Sequence, residues 1–272
     1  MKKHIPNALT CCNLLCGCCA TYVAFRGNYP AAALWIVLGA GFDFFDGFAA
    51  RLLGVSSAIG KELDSLADDI TFGFAPAAVA FSLLRDVLPH SFAPLAYVAF
   101  LIAAFSALRL AKFNLDERQS LGFIGLPTPA NALFWSSLAV SAPEWLLNAP
   151  FVWAFFVVLI GLSCWLLVSE VPMFALKFKT YGFEGNEVRY GFIAVSALLL
   201  LLLGVGGFTV VIPAYILVSL FTAKPAATGS QMPHPVLSPM PPVPPAPPVS
   251  SSNEASAEAP SAASPSVNNR TE

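Results

Sequence analysis

Apolar residues run along the chain in eight stretches, near Leu9–Phe25, Ala31–Ala50, Leu66–Leu84, Phe92–Leu110, Pro127–Val140, Phe151–Val168, Tyr190–Leu203 and Phe208–Phe221. A membrane-crossing helix needs roughly 20 apolar residues. The stretches therefore predict about eight transmembrane helices, the fifth, seventh and eighth being short. Gly204-Val205-Gly206-Gly207 supplies the turn between the last two. After Lys224 the pattern stops, and Pro, Ser and Ala dominate to Glu272, with Pro-Pro-Val-Pro-Pro-Ala-Pro-Pro at 241–248. Such sequence buries too little apolar surface to offset chain entropy. The expected organisation is an all-α, polytopic membrane domain over 1–223 and a disordered Pro/Ser/Ala-rich tail over 224–272.

Composition agrees with that pattern. Of 272 residues, 57% are hydrophobic and 11% charged, against about 25% charged in ordinary soluble domains. The charges are sorted by loop. With an even number of spans, Lys2, Lys3, Arg51, Lys61, Lys112, Arg118, Lys177, Lys179, Arg189 and Lys224 fall on one side, and Arg26 and Arg85 on the other. The positive-inside rule then places both termini, and the loop after Ala50, in the cytoplasm. Met1-Lys2-Lys3 precedes an apolar run without a small-residue cleavage site, so the first span is read as an uncleaved helix. No basic, aromatic-interleaved patch points to nucleic acid.

Polar residues inside the spans carry the chemistry. Asp43 and Asp46 are three apart, and Asp64 and Asp68 four apart, so each pair lies on one helix face. A single Asp at the centre of a membrane helix costs about 2.5–3.5 kcal/mol. Only Arg51 and Lys61 stand near them as cations, too little positive charge for four carboxylates. One or two divalent ions held by oxygen ligands solve the imbalance, and hard carboxylates favour Mg²⁺ or Mn²⁺. Gly47, Ala50 and Gly60 are small where a ligand would lie against the backbone, and Arg51 suits a phosphate or a carboxylate.

These residues form D-x2-D-G-x2-A-R-x8-G-x3-D-x3-D from Asp43 to Asp68, a pattern that resembles the CDP-alcohol phosphatidyltransferases at every fixed position. The resemblance implies a six-helix core, a homodimer, a metal site just inside the cytoplasmic surface, and release of CMP from a CDP-linked lipid; a pair of divalent ions there could neutralise a pyrophosphate. By position, Asp43, Asp46, Asp64 and Asp68 resemble the metal ligands, and Asp68 also the general base. Gly47, Ala50, Arg51 and Gly60 resemble parts of the CDP pocket. Leu63-Asp64-Ser65-Leu66-Ala67-Asp68 followed by Thr71-Phe72-Gly73-Phe74-Ala75-Pro76 is similar to the branch that forms phosphatidylserine. So are the segments from Arg109 to Asn114, from Phe123 to Ala130, and from Pro6 to Gly17. CDP-diacylglycerol and L-serine are therefore the expected substrates.

Within that branch, Arg109, Lys112 and Asn114 are expected to meet the lipid phosphate or the serine carboxylate. Thr71 stands where Ser is usual and Lys112 where Arg is usual, and Lys lacks the planar fork of Arg. Asp69 projects about 100° from Asp68 on a helix, so it is expected to meet a cation or water, not the metal. Five of six cysteines crowd into the first span and are expected to act as small packing residues. The motif leaves the acceptor open among serine, glycerol phosphate, inositol phosphate and choline. A metal-ion transporter would instead spread its acids through the membrane depth.

Overall fold

The computed structural model describes residues 4–55, 57–115, 123–173 and 186–222. Its helices are α1 (His4–Phe25), α2 (Tyr29–Leu53), α3 (Ala58–Asp68), α4 (Ala75–Val87), α5 (Leu101–Leu115), α6 (Thr128–Ser141), α7 (Glu144–Leu147), α8 (Val152–Val168), α9 (Glu187–Leu203) and α10 (Phe208–Thr222). A π-helical turn, Asp69–Phe74, joins α3 to α4, and a 3₁₀ segment, His90–Phe100, leads into α5. Two-residue strands β1 (Phe123–Ile124) and β2 (Pro172–Met173) pair antiparallel.

Each of the eight apolar stretches lies almost wholly in helix. Among the described residues, five helices are long and apolar enough to cross a membrane: His4–Phe25, Tyr29–Leu53, Ala58–Val87, His90–Leu115 and Glu187–Phe221. The last contains two of the expected spans, because Gly204–Gly207 turns as a 3₁₀ segment between α9 and α10. Val152–Val168 is a shorter apolar helix. The third span starts earlier than its apolar content does, at Ala58 and not near Leu66, so Gly60, Lys61 and Asp64 are helical. The expected disordered tail and the basic residues Lys2, Lys3, Arg118, Lys177, Lys179 and Lys224 lie outside the described residues.

The turns follow from local chemistry. Asn28 caps α2, its side chain accepting from the Ala31 N–H, with Pro30 in the first turn. Gly54 closes α2 in the left-handed conformation at φ 61°, which costs other residues a Cβ clash. Ser57 then caps α3 by accepting from the Gly60 N–H at 3.0 Å. The π turn comes just before Pro76, which has no N–H to continue the helical ladder.

Packing is tightest at that turn. Thr71, fully buried, is wedged between α1 and α2. A Cβ on Gly17 would come 2.5 Å from its Oγ1, and one on Gly39 would come 2.5 Å from its Cγ2. Small residues let the three backbones approach. A second core joins α4, α5, α6 and α8 around Leu84, Ile102, Trp135, Phe156 and Ile160, and Trp135 Nε1 donates to Ser163 Oγ at 3.0 Å. Cys16 and Cys164 are buried as packing residues, whereas Cys11 and Cys18 face outward. All six cysteines are free thiols.

Gly125 fixes the other end of the bundle. It has φ +73°, and a Cβ there would lie 2.9 Å from the Ser169 carbonyl oxygen. Its N–H donates to the Val171 carbonyl, and the next, that of Leu126, to the Leu166 carbonyl. This seats the Pro127-Thr128-Pro129 start of α6 against the end of α8.

The Gly39 contact predicts that Gly39→Ala destabilises the detergent-purified protein by about 1–3 kcal/mol through overpacking, seen as a lower melting temperature. Gly41→Ala on the same helix meets nothing within 4 Å and should leave it unchanged.

Candidate active site

Asp43 lies ten residues before the end of α2, and Asp68 ten residues after the start of α3. At 1.5 Å per residue both sit about 15 Å from the connecting loop, so an antiparallel pair of helices brings them level. Asp46 and Asp64 form a second level nearer the loop. One carboxylate oxygen from each of Asp43, Asp64 and Asp68 lies within 4.8 Å of the other two. Asp46 is outside that trio but lines a cavity with Asp64; it is buried, and its Oδ2 accepts from Thr10 Oγ1 at 2.6 Å.

Like charges held this close repel strongly in a low dielectric. Among the described residues Arg85 and Asp86 form an ion pair, away from this site, and none forms with the trio. Three converging oxygens without a bonded counter-charge are a donor set that fits Mg²⁺ or Mn²⁺. The expected fourth ligand, Asp46, keeps its other oxygen, Oδ1, out of the bond to Thr10.

Two cavities adjoin the carboxylates. The first, about 240 Å³, is lined by Asp46, Gly47, Ala50, Gly60, Lys61 and Asp64, together with Pro6, Asn7 and Thr10 of α1. Gly47 borders it with free space where a Cβ would stand, the nearest atom being 4.0 Å away on Arg51. At Gly60 the room is taken by the protein, since a Cβ would meet Ser57 Oγ at 2.9 Å and Asn7 Oδ1 at 3.1 Å. Arg51 is exposed and outside this lining, because it follows Ala50 by about 100° around the helix.

The second cavity, about 210 Å³, is lined by Asp64, Ser65, Asp68, Arg109, Asn114 and Thr128, with apolar residues of α5 and the start of α6. Arg109 is 7% exposed, its Nε has no hydrogen-bond partner among the described residues, and its guanidinium stands 5.8 Å from the Phe113 ring centre. Asn114 Nδ2 donates to Ser65 Oγ at 2.8 Å, so Ser65 is tied into the wall and not poised as a nucleophile. Lys112 is exposed and lies outside this lining. Asp69 is turned away from the trio: its Oδ1 lies beside Gly73 and Ser106, buried without a hydrogen-bond partner. Of its two expected partners, a cation or water, no cation pairs with it among the described residues.

Sequence reasoning missed Thr10 and Asn13. Asn13 Nδ2 donates to Asp68 Oδ1 at 3.2 Å. The signal for both was two polar residues three apart in an apolar helix, hence on one face.

Known proteins share these sequence features. A model of the family described as CDP-alcohol phosphatidyltransferase matches residues 3–169, which contain both cavities. Three relatives named CDP-diacylglycerol–serine O-phosphatidyltransferase are similar. The Bacillus subtilis protein is 40% identical over 127 residues, 47% of this chain and 70% of its own length. That of Mycobacterium leprae is 32% identical over 182 residues, 62% of this chain and 57% of its own. That of Saccharomyces cerevisiae is 39% identical over 135 residues, 44% of this chain and 46% of its own. The matched region thus spans about half the length of the latter two.

Proposed function

This chain belongs to the CDP-alcohol phosphatidyltransferase family, and on that basis we propose that it transfers a phosphatidyl group from CDP-diacylglycerol to the hydroxyl of L-serine. The observation that carries the reading is the carboxylate trio standing between two cavities of different chemistry. One has small residues and backbone along its wall; the other has a buried guanidinium.

In the proposed reaction the CDP moiety lies along Gly47, Ala50 and Gly60, with Lys61 at the rim for a phosphate charge. Serine occupies the second cavity, its carboxylate against Arg109 and its hydroxyl toward Asp68. Asp68 accepts the hydroxyl proton as the serine oxygen forms its bond to the lipid phosphorus. The bond from that phosphorus to the CMP oxygen breaks, and CMP departs with the bonding electrons. Asp43, Asp64 and Asp68, with Asp46 as a further candidate, would hold Mg²⁺ or Mn²⁺, two ions in the full proposal. A divalent ion there supplies charge neutralisation for the pyrophosphate and the leaving phosphate.

A buried Arg with no ion pair among the described residues calls for an anion. That favours serine, or a phosphorylated alcohol, over choline. The relatives' names favour serine among the anions. A transporter would need acids along the depth of several spans, whereas these gather at two adjacent levels between α2 and α3. The loop-charge asymmetry supports a cytoplasmic site and cytoplasmic termini, and the chain's compactness favours a bacterial cell membrane. The family resemblance supports a homodimer, and the composition after Lys224 supports a tail with no catalytic part.

Purified protein should release CMP from CDP-diacylglycerol with serine, outperforming glycerol phosphate, inositol phosphate and choline, and chelation should stop release. Asp68→Asn should cut turnover by at least about 10²–10⁴-fold, the usual worth of a positioned base; normal turnover would remove Asp68 from the mechanism. Arg109→Gln should raise the serine KM about 10–100-fold, as expected for one charge-assisted contact, with the KM for CDP-diacylglycerol unchanged. A chain ending at Lys224 should keep its rate and a dimeric mass in detergent, and a reporter fused there should read as cytoplasmic.

A further inference from the structure

α1 acts as a spacer beneath the site. It packs along α2 and against α3, while α2 and α3 barely touch each other. Its Thr10 and Asn13 stand on one face and reach in two directions. Thr10 donates to Asp46 of α2 at 2.6 Å, and Asn13 donates to Asp68 of α3 at 3.2 Å. One helix therefore bonds to a carboxylate on each side of the gap.

Asn13 is itself held hard. It is 0% exposed, and its backbone carbonyl accepts from Thr71 Oγ1 at 2.9 Å. Thr71 cannot retreat, because Gly17 and Gly39 back it at contact distance. The Asn13 side-chain oxygen is buried with no hydrogen-bond partner among the described residues. A fully buried amide with half of its capacity unused is poor as a packing residue, where an apolar side chain of the same size serves better. The half that is used meets the carboxylate that most needs holding. Asp68 faces Asp43 and Asp64, both of like charge, and an amide donor on one of its oxygens stops it from rotating away.

We propose that Asn13 is a positioning residue that acts through Asp68, keeping this carboxylate in the cluster so that the cation site exists before the cation arrives. The proposal rests on the reading of Asp43, Asp64 and Asp68 as ligands of a divalent ion. Partners of this kind behind ligating groups typically matter about 10–100-fold to affinity or activity.

The test uses the full chain in detergent, with Mn²⁺ as the probe, free Mn²⁺ followed by its paramagnetic resonance signal, and melting followed without metal. Asn13→Leu, similar in size but without a donor, should weaken Mn²⁺ binding about 10–100-fold and leave metal-free melting no lower. It should reduce kcat while leaving the KM for CDP-diacylglycerol unchanged. Asn13→Ser, too short to reach Asp68, should give the same Mn²⁺ loss should Asn13→Leu fail to fold. Unchanged Mn²⁺ affinity in a folded variant overturns the proposal, as does a loss that merely tracks lower metal-free stability. Wild-type protein that binds no Mn²⁺ overturns the cation reading together with this one. Wild-type protein that binds Mn²⁺ tightly but releases no CMP overturns the proposed reaction alone.

Discussion

Everything at this site is organised around keeping negative charges together inside an apolar bundle. Carboxylates in such surroundings repel one another and are costly to desolvate. A fold relieves that cost by protonating, scattering or pairing them, and here it does not scatter them. Oxygens from Asp43, Asp64 and Asp68 stay within 4.8 Å of one another. The surrounding structure consists largely of devices that hold them there.

The first device is the hairpin of α2 and α3, whose equal arm lengths bring acids on opposite sides of the turn to the same depth. The second is α1, inserted where α2 and α3 would otherwise close on each other. The third is the π turn after Asp68, which aims Thr71 at the backbone of Asn13 and turns Asp69 toward α5. Each is secured by residues without charge: Gly54 and Ser57 in the loop, Gly17 and Gly39 at the helix crossings. No ion pair to the trio forms among the described residues, and Arg109 shares only a cavity wall with Asp68.

The cluster also divides space. Asp64 borders both cavities, and Asp68 borders only the second. Two separate pockets thus meet at one shared carboxylate, Asp64. The loop through Gly125 seats the start of α6 at the second cavity, which is why a motif remote from the aspartates bears on the site. Arg109 completes that wall as a cation whose Nε has no partner among the described residues.

Much of this was legible in the order of residues. Alternation of apolar runs and short polar breaks is a local property, so the helical class and the helix positions could be read directly. The Asp43–Asp68 spacing pointed to the candidate site, because four acids in apolar surroundings demand more positive charge than Arg51 and Lys61 supply. The start of α3 was misplaced, since capping by Ser57 outweighs the polarity of Gly60–Asp64. Chemistry at one position and its spacing to near neighbours are written in the chain itself. Which carboxylates converge, that Thr10 donates to Asp46 and Asn13 to Asp68, and that Arg51 and Lys112 stay outside the two linings depend on contacts between residues far apart in sequence. Those were settled only when α1, α2 and α3 packed, because helix crossings and a π turn rotate side chains by amounts that spacing alone does not specify.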